Sequence, residues 1–135
     1  MGTTRRRLIL LCLGAALSVN VAASGSLTVY FIPFGVQTYL PVTTETIVAS
    51  SWERWTVSDD APIYALVELF EPDLYGPEFD FKNVRALVCH GDSKYYIDSM
   101  GKVMVNGLRM RIDRDDFIKL MRRHGALANL RLMSS

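Results

Sequence analysis

The spacing of turns between residues 84 and 112 constrains this chain more than any other feature. Asn106-Gly107 separates two runs of strand composition, Lys102–Val105 and residues 108–112. An Asn-Gly pair readily takes the positive φ angles that a type I′ turn needs, and that turn matches the twist of a two-stranded hairpin. Ser99-Met100-Gly101 joins residues 94–98 to the first of these runs, and Gly91-Asp92-Ser93 joins Val84–His90 to residues 94–98. Connections this short hold consecutive strands antiparallel, so the segment is expected to be a four-stranded antiparallel meander.

Loop length also fixes register. Loops of three, three and two residues place Cys89, Tyr95, Val105 and Leu108 in one cross-strand row and Leu87, Ile97, Val103 and Met110 in the next. That face is apolar throughout and is expected to carry the helices. The opposite face then holds Val88, Tyr96, Met104 and Arg109 in one row and Ala86, Asp98, Lys102 and Arg111 in the other. Asp98 beside Lys102 offsets part of the repulsion between Lys102 and Arg111.

Helix signals flank the meander. Asp113 caps a helix over residues 113–124, with Asp116 three residues on as in a capping box, and Ile112 and Phe117 at the positions of a hydrophobic staple. Phe117, Leu120, Met121 and His124 form its expected buried stripe, Arg122 and Arg123 complement the helix dipole, and Gly125 ends it. A second helix is expected over 60–70, capped by Asp59 or Asp60, with Pro62 in its first turn and Ile63, Leu66, Val67 and Phe70 along one side. Thr43-Thr44-Glu45 opens a short, β-branched helix over 44–50. Strands are expected at 27–32, at 36–40 where Pro41 stops the run, and at 52–57; Pro72, Gly76 and Pro77 make 71–81 a loop that mixes acids with aromatics. The tail over 126–135 reads either as a docked apolar segment or as a loose end. The fold class is α+β: an antiparallel sheet with a C-terminal four-stranded meander over about 84–112, packed against two or three helices at about 44–50, 60–70 and 113–124, all in one domain over 24–135.

Residues 1–23 read as a secretory signal peptide. Arg5-Arg6-Arg7 precede an apolar run from Leu8 to Leu17, and small residues lead to Val21-Ala22-Ala23, where cleavage is expected. The run from Leu8 to Ala23 is 16 residues long and includes Ser18 and Asn20, which is short for a spanning helix. Thr4-Arg5-Arg6-Arg7-Leu8-Ile9 also resembles a twin-arginine export signal, an alternative to the general secretory route. Beyond the signal, 12 basic residues stand against 14 acidic ones, with 24–101 acidic and 102–135 basic. In an exported protein a basic end points to an acidic partner, a lipid headgroup or its own acidic half rather than to nucleic acid. Cys12 falls inside the signal, so Cys89 is the sole thiol of the mature chain, and no Asn-x-Ser/Thr sequon occurs. A bacterial periplasmic location fits this pattern best, with no membrane span retained after cleavage.

Catalytic chemistry finds little to work with. Cys89 and His90 are consecutive on a strand and point to opposite faces, so they make no nucleophile–base pair. Cys89 is expected to be a buried thiol, His90 a strand-end residue near Lys94, and His124 a helix-end charge. The sequence holds no Cys-x-x-Cys, His-x-x-x-His, EF-hand loop, glycine-rich phosphate cradle or Gly-x-Ser-x-Gly elbow, and no cofactor or metal is expected. The acids at Asp113, Asp115 and Asp116 and at Asp59-Asp60 are explained by capping. One functional hint remains, because a solvent face rarely sets Val88, Tyr96 and Met104 side by side. Either a second core layer covers this row, or it is an exposed patch in which Val88, Tyr96, Met104, Arg109 and Arg111 anchor a protein partner. The expectation is a small exported non-enzymatic protein-binding domain, such as an inhibitor, an immunity-type protein or an envelope-assembly factor. A binder of small hydrophobic ligands, with a cavity between sheet and helices, and a small hydrolase are the alternatives.

Overall fold

The computed structural model describes residues 25–126; the expected signal segment, its cleavage point and tail residues 127–135 lie outside the described residues. Along the chain come β1 (Leu27–Phe31), α1 (Ile47–Ser50), β2 (Glu53–Val57), α2 (Asp60–Leu69), β3 (Glu71–Pro72), β4 (Val84–His90), β5 (Ser93–Asp98), β6 (Lys102–Val105), β7 (Leu108–Arg111) and α3 (Arg114–Arg123). The strands form one antiparallel sheet in the order β2-β1-β4-β5-β6-β7-β3. The fold is α+β, with the meander at the centre of the sheet.

The turn residues explain the meander. Asn106 has φ 50° and Gly107 φ 78°, as a type I′ turn requires. Asp98 opens the next turn back, closed by Gly101 N–H donating to the Asp98 carbonyl at 3.1 Å. Gly101 has φ +90°, and a Cβ there would lie 2.6 Å from the Ile112 carbonyl oxygen, so glycine lets β6 start against the entry to α3. Across β5, β6 and β7 the register is the expected one: Tyr96 faces Met104, Met104 faces Arg109, and Lys102 faces Arg111.

At β4 the register differs from the expectation by one residue. Gly91 has φ 60° while Asp92 stays negative, the pattern of a two-residue type II′ turn, so Ser93 pairs with His90 instead of belonging to the loop. A shift of one residue moves every side chain to the other face. Leu87, not Val88, therefore lies opposite Tyr96, while Cys89 leaves the helix face to stand between Thr28 and Lys94. Val88 and Ala86 turn toward the helices and are fully buried there. A bulge at Arg85 then returns Val84 to the face of Asp98. Alternation could not settle this register, because β4 is covered on both sides and is apolar at both parities.

Upstream, β1 and β2 extend the sheet rather than cover it. The strand expected over 36–40 is not formed: Pro33 and Gly35 break the extension, Val36 N–H closes a turn on the Pro33 carbonyl at 3.1 Å, and the chain continues as coil to Pro41. α1 is one turn long, preceded by a turn in which Ile47 N–H donates to the Thr43 carbonyl at 3.0 Å. Within the expected 71–81 loop, Glu71 and Pro72 pair with Arg111 and Met110 as the short strand β3.

Between the sheet and α2 and α3, Leu27, Val29, Phe31, Ala86, Val88, Ile97 and Val103 meet Ile63, Leu66, Phe117, Leu120 and Met121. The Phe31, Phe34 and Phe117 rings cluster with centroids 5.4–5.9 Å apart, and Phe70 stacks on Tyr95 at 4.4 Å. Asp113 accepts from Asp116 N–H at 2.9 Å, and Ile112 and Phe117 are both buried, as capping and staple require. His124 departs from the expected stripe. The helix ends at Arg123, His124 is an exposed C-cap, and Gly125 at φ 90° turns the chain so that Ala126 is buried instead.

Candidate functional site

The face of the sheet turned away from α2 and α3 carries a row running Arg54, Tyr30, Leu87, Tyr96, Met104 and Arg109 from β2 to β7. Its middle is covered. Ile32, Val42, Ile47, Phe79, Val84 and Leu87 form a second buried cluster, with Tyr30, Val36, Cys89, Tyr96 and Met104 packed half-buried against it. The cover is α1 together with two coil segments, 32–46 and 73–83, tied to each other where Val42 bridges Asn83.

Long polar side chains rising from the sheet hold this coil in place. Arg109 donates through NH2 to the carbonyls of Gly76 and Pro77 at 3.1 and 3.4 Å. Asp98, 1% exposed, accepts from the backbone N–H groups of Asp80, Met100 and Lys102, each at 2.9 Å. Its carboxylate therefore serves backbone, and Lys102 pairs instead with Asp73 at 2.7 Å. That ammonium holds the Asp73 carboxyl below the usual carboxylate range, against the opposing pull of burial. Asn83 and the Lys82 N–H do the same for Asp80. Arg85, 3% exposed at the bulge, donates to the Val84 carbonyl at 3.0 Å and the Val36 carbonyl at 2.9 Å, while its Nε has no partner. Burial pushes its pKa down, and the charge of Asp80 opposes this.

The expected partner-binding residues fall in different places. Tyr96, Met104 and Arg109 share the row, the first two beneath the coil cover and the third exposed at its rim. Arg111 is exposed near the sheet edge and pairs with Glu71 at 3.2 Å. Val88 belongs to the core on the opposite face, for the register reason given above. Of the two readings of this row, a second core layer is the one found over Tyr96 and Met104, and α1 and coil supply it.

Much of what this side presents to solvent is apolar, although Arg54, Glu78, Asp80, Lys82 and Arg109 are exposed as well. Tyr39 is fully exposed, Leu40 68%, Val48 50%, Trp52 45% and Phe81 54%, and all five belong to the covering coil, to α1 or to the two-residue link from α1 to β2. Phe81 leans edge-on against Phe79 with centroids 4.9 Å apart. Residues 25–52 contain a single charged side chain, Glu45. That charge-poor stretch was legible before folding and would have marked this surface. The helix side contrasts with it, exposing Asp60, Glu68, Asp115, Asp116, Lys119, Arg122 and Arg123.

A separate cleft of about 670 Å³ opens between the end of α2 and the start of α3. Glu68, Glu71, Lys102, Arg111, Arg114 and Asp116 help line it. Much of their charge is already engaged, since Arg111 holds Glu71, Lys102 holds Asp73, and Arg114 donates to the Ser99 carbonyl at 2.9 Å. Burial raises the pKa of the half-buried Cys89 thiol, with Lys94 opposing, which disfavours the thiolate that a nucleophile needs. His90 lies on the other face of β4, paired with Leu27 and Ser93. Among the described residues no group of three His, Cys, Asp or Glu side chains is placed to hold a metal ion, and no helix is long and apolar enough to cross a membrane.

No protein-family model, no curated protein and no solved structure matches the chain.

Proposed function

We propose that the protein is a small non-enzymatic protein-binding domain whose contact surface is the coil-covered side of the sheet. The observation that carries this reading is the exposure of Tyr39, Leu40, Val48 and Trp52 on a stretch, residues 25–52, whose single charged side chain is Glu45. Interface centres are depleted in charge and enriched in aromatic side chains, which bury much area for little lost rotamer freedom. Tyr96, Met104 and Arg109 act from beneath, positioning the coil that presents these residues. The signal-like composition of residues 1–23 supports a site of action outside the cytoplasm, in the bacterial periplasm, where an inhibitor, an immunity-type protein or an envelope-assembly factor would work.

The test uses the tagged protein and extract of its own cell envelope. Wild type is expected to recover one protein in stoichiometric amount, and the doubly substituted Tyr39→Asp, Trp52→Asp chain to recover none at an unchanged melting temperature. Recovery by both chains would move the site elsewhere. Recovery of nothing by wild type would remove the reading.

A further inference from the structure

β2 lies at one end of the sheet and, among the described residues, has a single strand neighbour, β1. Half of its main-chain N–H and C=O groups consequently point away from the sheet, which makes it a template for another strand. The usual protections are few: Glu53-Arg54-Trp55-Thr56-Val57 has no proline, no lysine and no bulge. The opposite edge is blunted, because β3 has two residues and the second is Pro72. Arg54 and Thr56 are exposed on the coil-covered face, beyond the reach of the coil cover, and Trp55 is half-buried on the helix face.

We infer that β2 pairs antiparallel with β2 of a second copy, about a two-fold axis at Trp55, to give one sheet continuous across both chains. An antiparallel edge is complementary to itself, and a two-fold axis perpendicular to the sheet sets residues of like parity opposite each other. Centred on Trp55, the pairing sets Arg54 opposite Thr56 and Glu53 opposite Val57, with no like charges facing. A one-residue move of the axis to Arg54 sets guanidinium against guanidinium. A move the other way, to Thr56, sets Glu53 against Asp59. Charge therefore selects the Trp55 register. Because the far edge ends in Pro72, the contact closes at two copies and does not propagate into a filament.

The experiment is sedimentation equilibrium on protein purified from cells making the full chain, over roughly 1–500 μM, a range that brackets weak interfaces. Wild type is expected to pass from monomer to dimer within that range. Thr56→Lys sets an ammonium opposite Arg54 of the second copy at two symmetric places and is expected to weaken association at least tenfold. Arg54→Glu combined with Thr56→Lys turns both repulsions into attractions and is expected to restore it. Circular dichroism melts confirm that each variant folds, since both positions are exposed. A wild type that stays monomeric at the highest concentration overturns the inference. So does a dimer that Thr56→Lys leaves intact, or one that the double variant fails to recover. These readouts need no outside partner, so they stand or fall apart from the protein-binding proposal.

Discussion

On one face of the sheet, two ten-residue helices bring Ile63, Leu66, Phe117 and Met121 down onto β1, β4 and β5; on the other, a four-residue helix and two coil segments deliver Ile47, Val42 and Phe79. A helix satisfies its own backbone, so α2 and α3 leave their polar side chains to solvent. Coil has no such internal ladder. Its carbonyls and amides find partners in the sheet: Arg85 for Val36, Arg109 for Gly76 and Pro77, and Asp98 for Asp80. The charges of Arg85 and Asp98 are drawn under the coil, and aromatic residues such as Tyr39 and Phe81 remain outside. The layer with the fewest hydrogen bonds of its own is thus the one with the interface-like exterior. Layers of this kind open locally more readily than helical cores.

The largest effect should come from the helical side. Phe117→Ala removes a fully buried ring from the Phe31–Phe34 cluster and should cost about 3–5 kcal/mol in urea unfolding. Asp98→Ala attacks the coil side through its backbone and leaves three N–H groups without their carboxylate. We expect a loss of about 3 kcal/mol, with amide exchange accelerated at Asp80, Met100 and Lys102 ahead of α3. Uniform acceleration in both layers would show that the two cores are one cooperative unit. Met104→Asp puts a charge against the second core and should destabilise by more than about 1 kcal/mol, whereas Tyr39→Asp, fully exposed, should stay within about 0.5 kcal/mol. Equal effects at the two positions would mean that the coil does not cover Met104 in solution.

The smallest effect is one of pH. Asp73 and Asp80 are held below the ordinary carboxylate range in the folded chain, so the unfolded chain takes up protons first as acid is added. Their contribution is complete above the ordinary carboxylate pKa and is lost as pH falls through that value toward the lower folded ones. Tyr95 and Cys89 act in the opposite sense, because burial raises both, and stability should fall as pH rises through the ordinary thiol and phenol values. Melting temperatures of wild type and Asp73→Asn from pH 2 to 5 check the acid limb, where the variant should lose less. Parallel curves would show that the Lys102 pair does not matter to it.

Much of the meander and both long helices could be read from the chain, because turn residues and caps act over a few neighbours. Asn106-Gly107, Asp113 and the Ile112–Phe117 staple all behave as their chemistry dictates. What escaped reading depended on distance or parity. Gly91-Asp92 and Gly91-Asp92-Ser93 are both reasonable loops, and only the two-residue version sets Leu87 beneath the coil and Val88 beneath the helices. The seating of Asp98 was partly visible, since Asp at the first and Gly at the fourth position is a familiar turn pattern. Its bond to Asp80 spans 18 residues and was not visible. Nor could local pattern foretell that coil, rather than a strand, would cover Tyr96 and Met104.

The pairing of β1 with β4 has a consequence for the order of events in folding. Leu27 meets His90, so that contact closes a long loop, while each hairpin of the meander closes a short one. Short closures come first, and contacts between distant residues set the slow step. The first of the described strands to be made can pair with β2 early but must wait for residues 84–90 before its second neighbour exists. During that interval Leu27, Val29 and Phe31 lack the β4 and α3 part of their core, and the segment 25–52 has one charge to keep it in solution, which is where a chaperone would help.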